Sequence, residues 1–342
     1  MGTFFNTISM SEIYMVVGFL LSMYACVSND IIQTLGTFLS ANKKTPFYYL
    51  WAFSVIVLAI TIVTGWIVNN GDLSFGLLTR IPVTEEFTPL YLLPPIILIL
   101  LTRWGIPVAT TFLVLSVFSV SDVSVIWMML TKSVLGYVIA FITAIVIYNI
   151  IGRPVERYFY YTQKRSGNDK ISKWWMVAKW CSTAFIWSQW LVQDSAKLFV
   201  YLPRKASFAQ LIFVLLCFTI FLGVLTYNRG GDIQKIVKMK TNVQDPRSAT
   251  IIDVIYAFLL LYFINLNNIP MSTTWVFIGL LAGREIALYQ RLRFESPQKM
   301  YKHILKDLYK VTLGLVVSIV AVVLLTQFGY VKEFFFSHFI GG

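Results

Sequence analysis

Long apolar runs separated by short basic loops leave a chain few choices of fold, because backbone N–H and C=O groups inside a bilayer must bond within the protein. The runs here lie at about 11–29, 48–68, 88–104, 105–121 and 124–151, then at 173–193, 207–227, 248–267, 269–289 and 306–329. A helix needs roughly 20 apolar residues to cross about 30 Å of hydrocarbon. Most runs approach that length, although several are short or broken by proline and polar residues. Hydrophobic residues make up 57% of the chain and charged residues 13%, about half the charged share of a soluble domain. Mean hydropathy is +0.72. The sequence predicts an all-α integral membrane protein lying in a lipid bilayer. No Lys or Arg precedes Lys43, so the first run reads as a span and not as a signal peptide.

The net charge is +12. Because the basic residues cluster between apolar runs, they read as topology determinants and not as a nucleic-acid surface. Cys26, Cys181 and Cys217 each lie inside an apolar segment without CxxC spacing, so they read as core residues, neither disulfides nor metal ligands. His303 and His338 fall outside the runs, and no Ser/His/Asp arrangement is visible. Enzymatic chemistry, a metal centre and a cofactor are therefore not expected.

The chain repeats itself. Ser28-Asn29-Asp30-Ile31-Ile32-Gln33 in the first half matches Val192-Gln193-Asp194-Ser195-Ala196-Lys197 in the second. Later, Pro107-Val108-Ala109-Thr110-Thr111 matches Pro270-Met271-Ser272-Thr273-Thr274. The two aspartates are 164 residues apart and the two prolines 163. This divides the chain into a first repeat at 11–151, a basic linker at 152–172 and a second repeat at 173–330. The loop at 69–87 carries Asp72, Glu85 and Glu86 against Arg80. Its counterpart at 228–247 carries Arg229, Lys235, Lys238, Lys240 and Arg247 against Asp232 and Asp245. Since Lys and Arg mark the cytoplasmic side, the equivalent loops face opposite sides and the repeats are inverted. Five spans or re-entrant pieces per half place 152–172, 228–247 and 290–305 on the cytoplasmic side of the cell membrane and both termini outside. Inverted repeats with interrupted helices are a recurring transporter plan.

Asp30 and Asp194 stand out because an ionisable group amid apolar runs costs about 2.5–3.5 kcal/mol on the insertion scale. Each either caps a short helix, coordinates a cation, or accepts a hydrogen bond from a protonated substrate oxygen. Asn268-Ile269-Pro270 reads as a helix start with Pro near the first helical position. The free N–H groups there, with the hydroxyls of Ser272, Thr273 and Thr274, suit a phosphate-like anion, unless the hydroxyls bond back to helix carbonyls. Thr110 and Thr111 are the first-half copies. Arg284 and Glu285 pair with each other or with Asp253, as a gate or as a span-end ion pair.

The two motif pairs, in this order, resemble the inorganic phosphate transporter (PiT) family. Its signatures read roughly Gly-Ala-Asn-Asp-Val-Ala-Asn, each followed later by Pro-Val-Ser-Thr-Thr-His. The resemblance spans about residues 12–330. It implies an inverted-repeat fold, often dimeric, that moves inorganic phosphate with a cation; some relatives carry sulfate. It also implies that Asn29, Gln33 and Gln193 lie in a sodium-binding region, with Asp30, Thr110, Thr111, Asp194, Lys197, Ser272, Thr273 and Thr274 on the substrate. Three departures stand out: Gln33 and Lys197 replace the second asparagine of each signature, Gln193 the first asparagine of the second, and Phe112 and Trp275 the histidines. A lysine repels sodium and can pair directly with an oxyanion, or it can snorkel to a span end. The reading is thus a phosphate carrier with weak sodium dependence or H+ coupling. The alternatives are a sulfate permease or a non-transporting sensor built on a degenerate carrier fold.

The opposed loop charges make a first prediction. Single cysteines at Thr84 and Asn242 should react with an impermeant thiol reagent from opposite sides, Thr84 from outside. Labelling of both from the same side refutes the inverted arrangement.

Overall fold

The computed structural model describes residues 9–103, 109–120, 122–166, 172–229, 246–266, 268–292 and 312–324, with a few isolated positions from 298 to 309. Pro107, the loop at 230–245 with its three lysines, and both histidines lie outside the described residues. All regular elements described are helical. In the first half these are α1 (Met10–Asn29), α2 (Ile32–Ala41), α3 (Phe47–Val68), α4 (Leu93–Arg103, entered through a 3-10 turn at Pro89–Leu92), α5 (Thr110–Phe118) and α6 (Val123–Ser166). In the second they are α7 (Lys173–Asp194), α8 (Ala196–Phe199), α9 (Phe208–Tyr227), α10 (Pro246–Leu266) and α11 (Thr273–Leu292). A final apolar helix, α12, spans Thr312–Leu324.

Among the described residues, five helices are long and apolar enough to cross a membrane: Met10–Asn29, Phe47–Val68, Val123–Ile150, Phe208–Tyr227 and Pro246–Leu266. The chain is a multi-pass membrane protein. The runs expected as spans at 88–104 and 105–121 are shorter elements. Nine residues of α5 rise only about 14 Å, and all nine are buried. A helix buried on every face shows no amphipathic period, so its apolar run looked like a span. The expected linker at 152–172 is helical as far as Ser166, a continuation of α6. It is docked by Arg247, which donates to Phe159 O at 3.1 Å and to Thr162 Oγ1 at 3.0 Å.

Lipid-facing and protein-facing sides separate cleanly on α3. Leu50, Ser54, Leu58, Ile62 and Gly65 form its buried stripe, while Ile56, Ile60 and Ile67 are exposed. Such outward apolar surface is unstable in water and ordinary in a bilayer. Indole N–H groups tie the neighbours together: Trp51 donates to Thr219 O at 2.9 Å, Trp66 to Ala206 O at 2.7 Å and Trp187 to Ser54 O at 3.0 Å.

Two long helices break, and both breaks fall on the aspartate motifs. Between α1 and α2 the N–H of Ile31 bonds back to Cys26 O and that of Gln33 to Asp30 O. The ladder thus slips from its i−4 register. Between α7 and α8 the Leu198 N–H reaches only to Ser195 O, and Ser195 Oγ donates to Leu191 O. The threonine motifs also begin helices, α5 at Thr110 and α11 at Thr273. This corrects the expectation that Asn268 and Pro270 start the second of these helices. Residues 268–272 are instead held non-helically by α6, where Lys132 Nζ donates to Ile269 O at 2.6 Å and Ser133 Oγ accepts from the Ser272 N–H at 2.9 Å.

Helices α6 and α11 approach so closely that only glycine fits at the contact. A Cβ on Gly279 would lie 2.4 Å from Tyr137 O, and one on Gly283 would lie 2.3 Å from Phe141 O. Small residues four apart are what lets membrane helices pack backbone to backbone. Gly279→Ala should therefore cost about 1–3 kcal/mol through overpacking, seen as a lower midpoint of thermal unfolding in detergent. An unchanged midpoint would mean that this contact does not set the helix spacing.

Candidate functional site

The two helix breaks bring Asp30 and Asp194 to the same buried point, and Lys197 lies between them. Its ammonium donates to Asp30 Oδ2 and to Asp194 Oδ2, and to Thr110 Oγ1 at 2.7 Å. Thr110 Oγ1 donates to Asp30 Oδ2 and Thr111 Oγ1 to Asp194 Oδ1, each at 2.7 Å. Asn29 Nδ2 donates to Asp30 Oδ1 at 2.9 Å. Lys197 is 1% exposed and the aspartates are 0% exposed, so the lysine does not snorkel. The Trp190 ring packs on the ammonium, its centroid 5.6 Å away.

Three features make this arrangement specific to the fold. The Asp194–Lys197 pair is local, three residues apart across the α7–α8 break. Asp30, by contrast, comes from the other half of the chain. The hydroxyls come from the start of α5, which must therefore be buried end-on against both breaks.

The second-half threonine motif makes fewer side-chain bonds. Gln33 Nε2 donates to Thr274 Oγ1 at 2.9 Å. Tyr256 OH lies 3.0 Å from Thr273 O and 3.4 Å from Gln33 Oε1. Gln193, Ser272 and Thr273 are buried, and their side-chain polar atoms have no protein partner, nor does Trp190 Nε1. The structure thus draws together Asn29, Asp30, Thr110, Thr111, Asp194 and Lys197 in one bonded cluster. Gln33 and Thr274 are joined in an adjoining one.

Two carboxylates and one ammonium leave a single net negative charge. Cys26, Asp30 and Asp194 place their ligand atoms within 4.8 Å of one another, a spacing suited to a cation. Lys197 Nζ, bonded to both carboxylates, already supplies a positive charge there. The side chains present fit a monovalent positive charge better than a metal ion that needs free carboxylate oxygens.

A second buried ion pair was not anticipated. Lys179 Nζ lies 2.6 Å from Asp253 Oδ2 and donates to Thr37 Oγ1 at 2.9 Å. Thr37 Oγ1 in turn donates to Asp253 Oδ1 at 3.2 Å, and Thr183 Oγ1 to Asp253 Oδ2 at 3.2 Å. The cluster fastens α2, α7 and α10 roughly 22 Å along α7 from Asp194. Asp253, one of the two partners expected for Arg284 and Glu285, is thus taken by Lys179, and the Arg284 guanidinium lies over the Tyr148 ring at 5.6 Å. The available signal was one lysine inside an otherwise apolar stretch of α7 and one aspartate inside α10. Charges on two separate spans do not name each other as partners.

Paired helix breaks that meet around a buried charge cluster define a multi-pass membrane protein of the broken-helix type. This chain is similar in fold to a solved structure described as "The sodium-dependent phosphate transporter", with a TM-score of 0.56 and 14% identity, covering 92% of this chain and 98% of that one. No family model matches the sequence, and no curated protein matches it. The all-α fold expected from the motif resemblance is borne out by this likeness.

Removing one partner of a buried ion pair typically costs about 3–5 kcal/mol, whereas replacing both with apolar residues is often neutral. Lys179→Met and Asp253→Leu should each lower the thermal midpoint in detergent, and the double substitution should recover most of the loss. Additive losses in the double variant would show that the two residues do not act as a pair.

Proposed function

We propose that this protein is a secondary transporter for inorganic phosphate, working by alternating access around the Asp30–Lys197–Asp194 cluster. The observation that carries the reading is the placement of Lys197, buried between two carboxylates at two helix breaks. Buried charges in a membrane protein are costly and mark substrate or ion pathways. Sites at broken helices near the midplane are the usual plan of inverted-repeat carriers. The likeness in fold to a sodium-dependent phosphate transporter supports the same reading. In it, Ser272, Thr273 and Thr274 contact the oxyanion together with Thr110, Thr111 and the charged cluster.

Lys197 distinguishes this chain from one that relies on sodium alone. Its ammonium does part of a bound cation's electrostatic work and repels a sodium ion from the same place. The cluster still carries one net negative charge, so an entering anion adds to negative charge already buried there. A proton brought with the substrate offsets part of that charge without a metal ion. The expected behaviour is phosphate uptake coupled to H+ or only weakly dependent on sodium. Both termini are assigned outside the cell membrane, with the two halves inverted, on the strength of the loop charges.

Proteoliposome uptake of radiolabelled phosphate and sulfate, with and without sodium or proton gradients, tests this. Asp30→Asn and Asp194→Asn should each cut phosphate uptake at least tenfold while the protein remains inserted. Lys197→Asn should weaken phosphate affinity and introduce sodium stimulation. Strong sodium dependence unaltered by Lys197→Asn would refute the role given to the lysine. Uptake of sulfate in place of phosphate would make the protein a sulfate permease. Folded protein that moves neither anion would make it a sensor or assembly partner.

A further inference from the structure

Tetrahedral oxyanions of similar size differ in one property that a buried site can read, which is whether an oxygen carries a proton. Phosphate keeps one at neutral pH and sulfate has none. A site that selects phosphate therefore needs an acceptor as well as donors. The carboxylates of the cluster are already engaged. Asp30 Oδ1 accepts from Asn29 and Oδ2 from Lys197 and Thr110, while Asp194 Oδ1 accepts from Thr111 and Oδ2 from Lys197.

In the same motifs and on α7, Trp190 Nε1, both ends of the Gln193 amide, Ser272 Oγ and Thr273 Oγ1 have no protein partner. These residues are between 0% and 2% exposed. Buried polar atoms are almost always bonded, and leaving them unpaired is costly, so the group marks where a ligand supplies the missing bonds. Its members differ in what they can do. An indole N–H only donates, and a hydroxyl rotates to donate or accept as required. The Gln193 amide offers an oxygen that can only accept beside a nitrogen that can only donate. Its position fits this role, because Gln193 follows Trp190 by three residues on α7 and so shares its face, and the Trp190 ring packs on Lys197. Its counterpart in the first motif, Asn29, already uses its amide on Asp30.

Building on the oxyanion assignment above, we propose that Gln193 selects for a protonated oxyanion. Its Oε1 accepts the hydrogen of the P–OH group and its Nε2 donates to an unprotonated oxygen, while Ser272, Thr273 and Trp190 donate to the others. Sulfate satisfies the donors but leaves Oε1 buried and unpaired. The hydroxyls adjust to either anion and cannot discriminate between them. The amide of Gln193, which the family resemblance placed with sodium, is free for this task because Lys197 supplies the positive charge.

Equilibrium binding to the full chain in lipid nanodiscs tests the proposal with phosphate, arsenate, sulfate and monofluorophosphate, a dianion of phosphate's shape with fluorine in place of the hydroxyl. The unmodified protein should bind phosphate and arsenate at least about tenfold more tightly than the two unprotonated anions, as expected for a site that pairs with a substrate hydroxyl. Gln193→Leu should shrink that ratio to about threefold or less, mainly by weakening phosphate. Gln193→Asn, which keeps an amide, should preserve most of it. Equal affinity of the unmodified protein for phosphate and monofluorophosphate overturns the proposal without recourse to any variant. Undiminished discrimination in folded Gln193→Leu also overturns it. Phosphate binding without discrimination would sink this inference alone, whereas no binding of any of the four anions would sink the oxyanion reading with it.

Discussion

The bond on which the rest of the structure depends is the buried contact of the Lys197 ammonium with Asp30 and Asp194. A charge removed from water is tolerated only with a partner of opposite sign and further hydrogen bonds. Here one lysine serves two carboxylates, and Thr110, Thr111 and Asn29 supply the remaining bonds. The requirement holds α1, α5, α7 and α8 at one point. It also gives the helix breaks a purpose. An unbroken α1 or α7 would carry its polar residues past the meeting place, whereas a slipped ladder lets the chain turn its carboxylate inward.

The same contact makes the two halves unequal. The first-half hydroxyls, Thr110 and Thr111, are both bonded to aspartates. In the second half Thr274 is bonded to Gln33, while Ser272 and Thr273 have no side-chain partner. Lys197 stands where the duplicated motif has Gln33 in the first half. That single change of residue type shifts the bonding toward the first-half hydroxyls and leaves polar capacity on the other side. The asymmetry is one of bonding: the first-half hydroxyls are tied to the charged groups, while Ser272 and Thr273 have no side-chain partner.

Away from this point the helices are held by two further devices suited to lipid. Close packing through Gly279 and Gly283 sets the spacing of α6 and α11, since apolar burial gives little drive for helix association where the solvent is itself apolar. The Lys179–Asp253 pair fastens α2, α7 and α10 some distance from the first cluster. Two separate ionic contacts along α7 constrain how that helix can tilt.

The all-α membrane fold was legible in the sequence, because a bilayer leaves the backbone no other way to satisfy its N–H and C=O groups. The duplicated motifs were legible too, since Asp30 and Asp194, and the two threonine pairs, recur at nearly constant spacing. The runs at 88–104 and 105–121 are shorter than spans: α4 has only 11 helical residues, and α5, buried on all faces, has the same apolar composition as a lipid-facing helix. The start of α11 at Thr273 was misplaced because it depends on Lys132 and Ser133 of another helix, which no local cap signal reports. Lys179 had no visible partner until α7 and α10 were packed together. The sequence alone determined that this chain lies in a membrane as helices and that its polar motifs recur at Asp30 and Asp194 and at the two threonine pairs, because hydropathy and local spacing are properties of contiguous residues. Only the tertiary structure decided that Lys197 joins both aspartates and that Gln193, Ser272 and Thr273 have no side-chain partner, because Asp30 lies 167 positions from Lys197 and burial depends on helices packed from both halves of the chain.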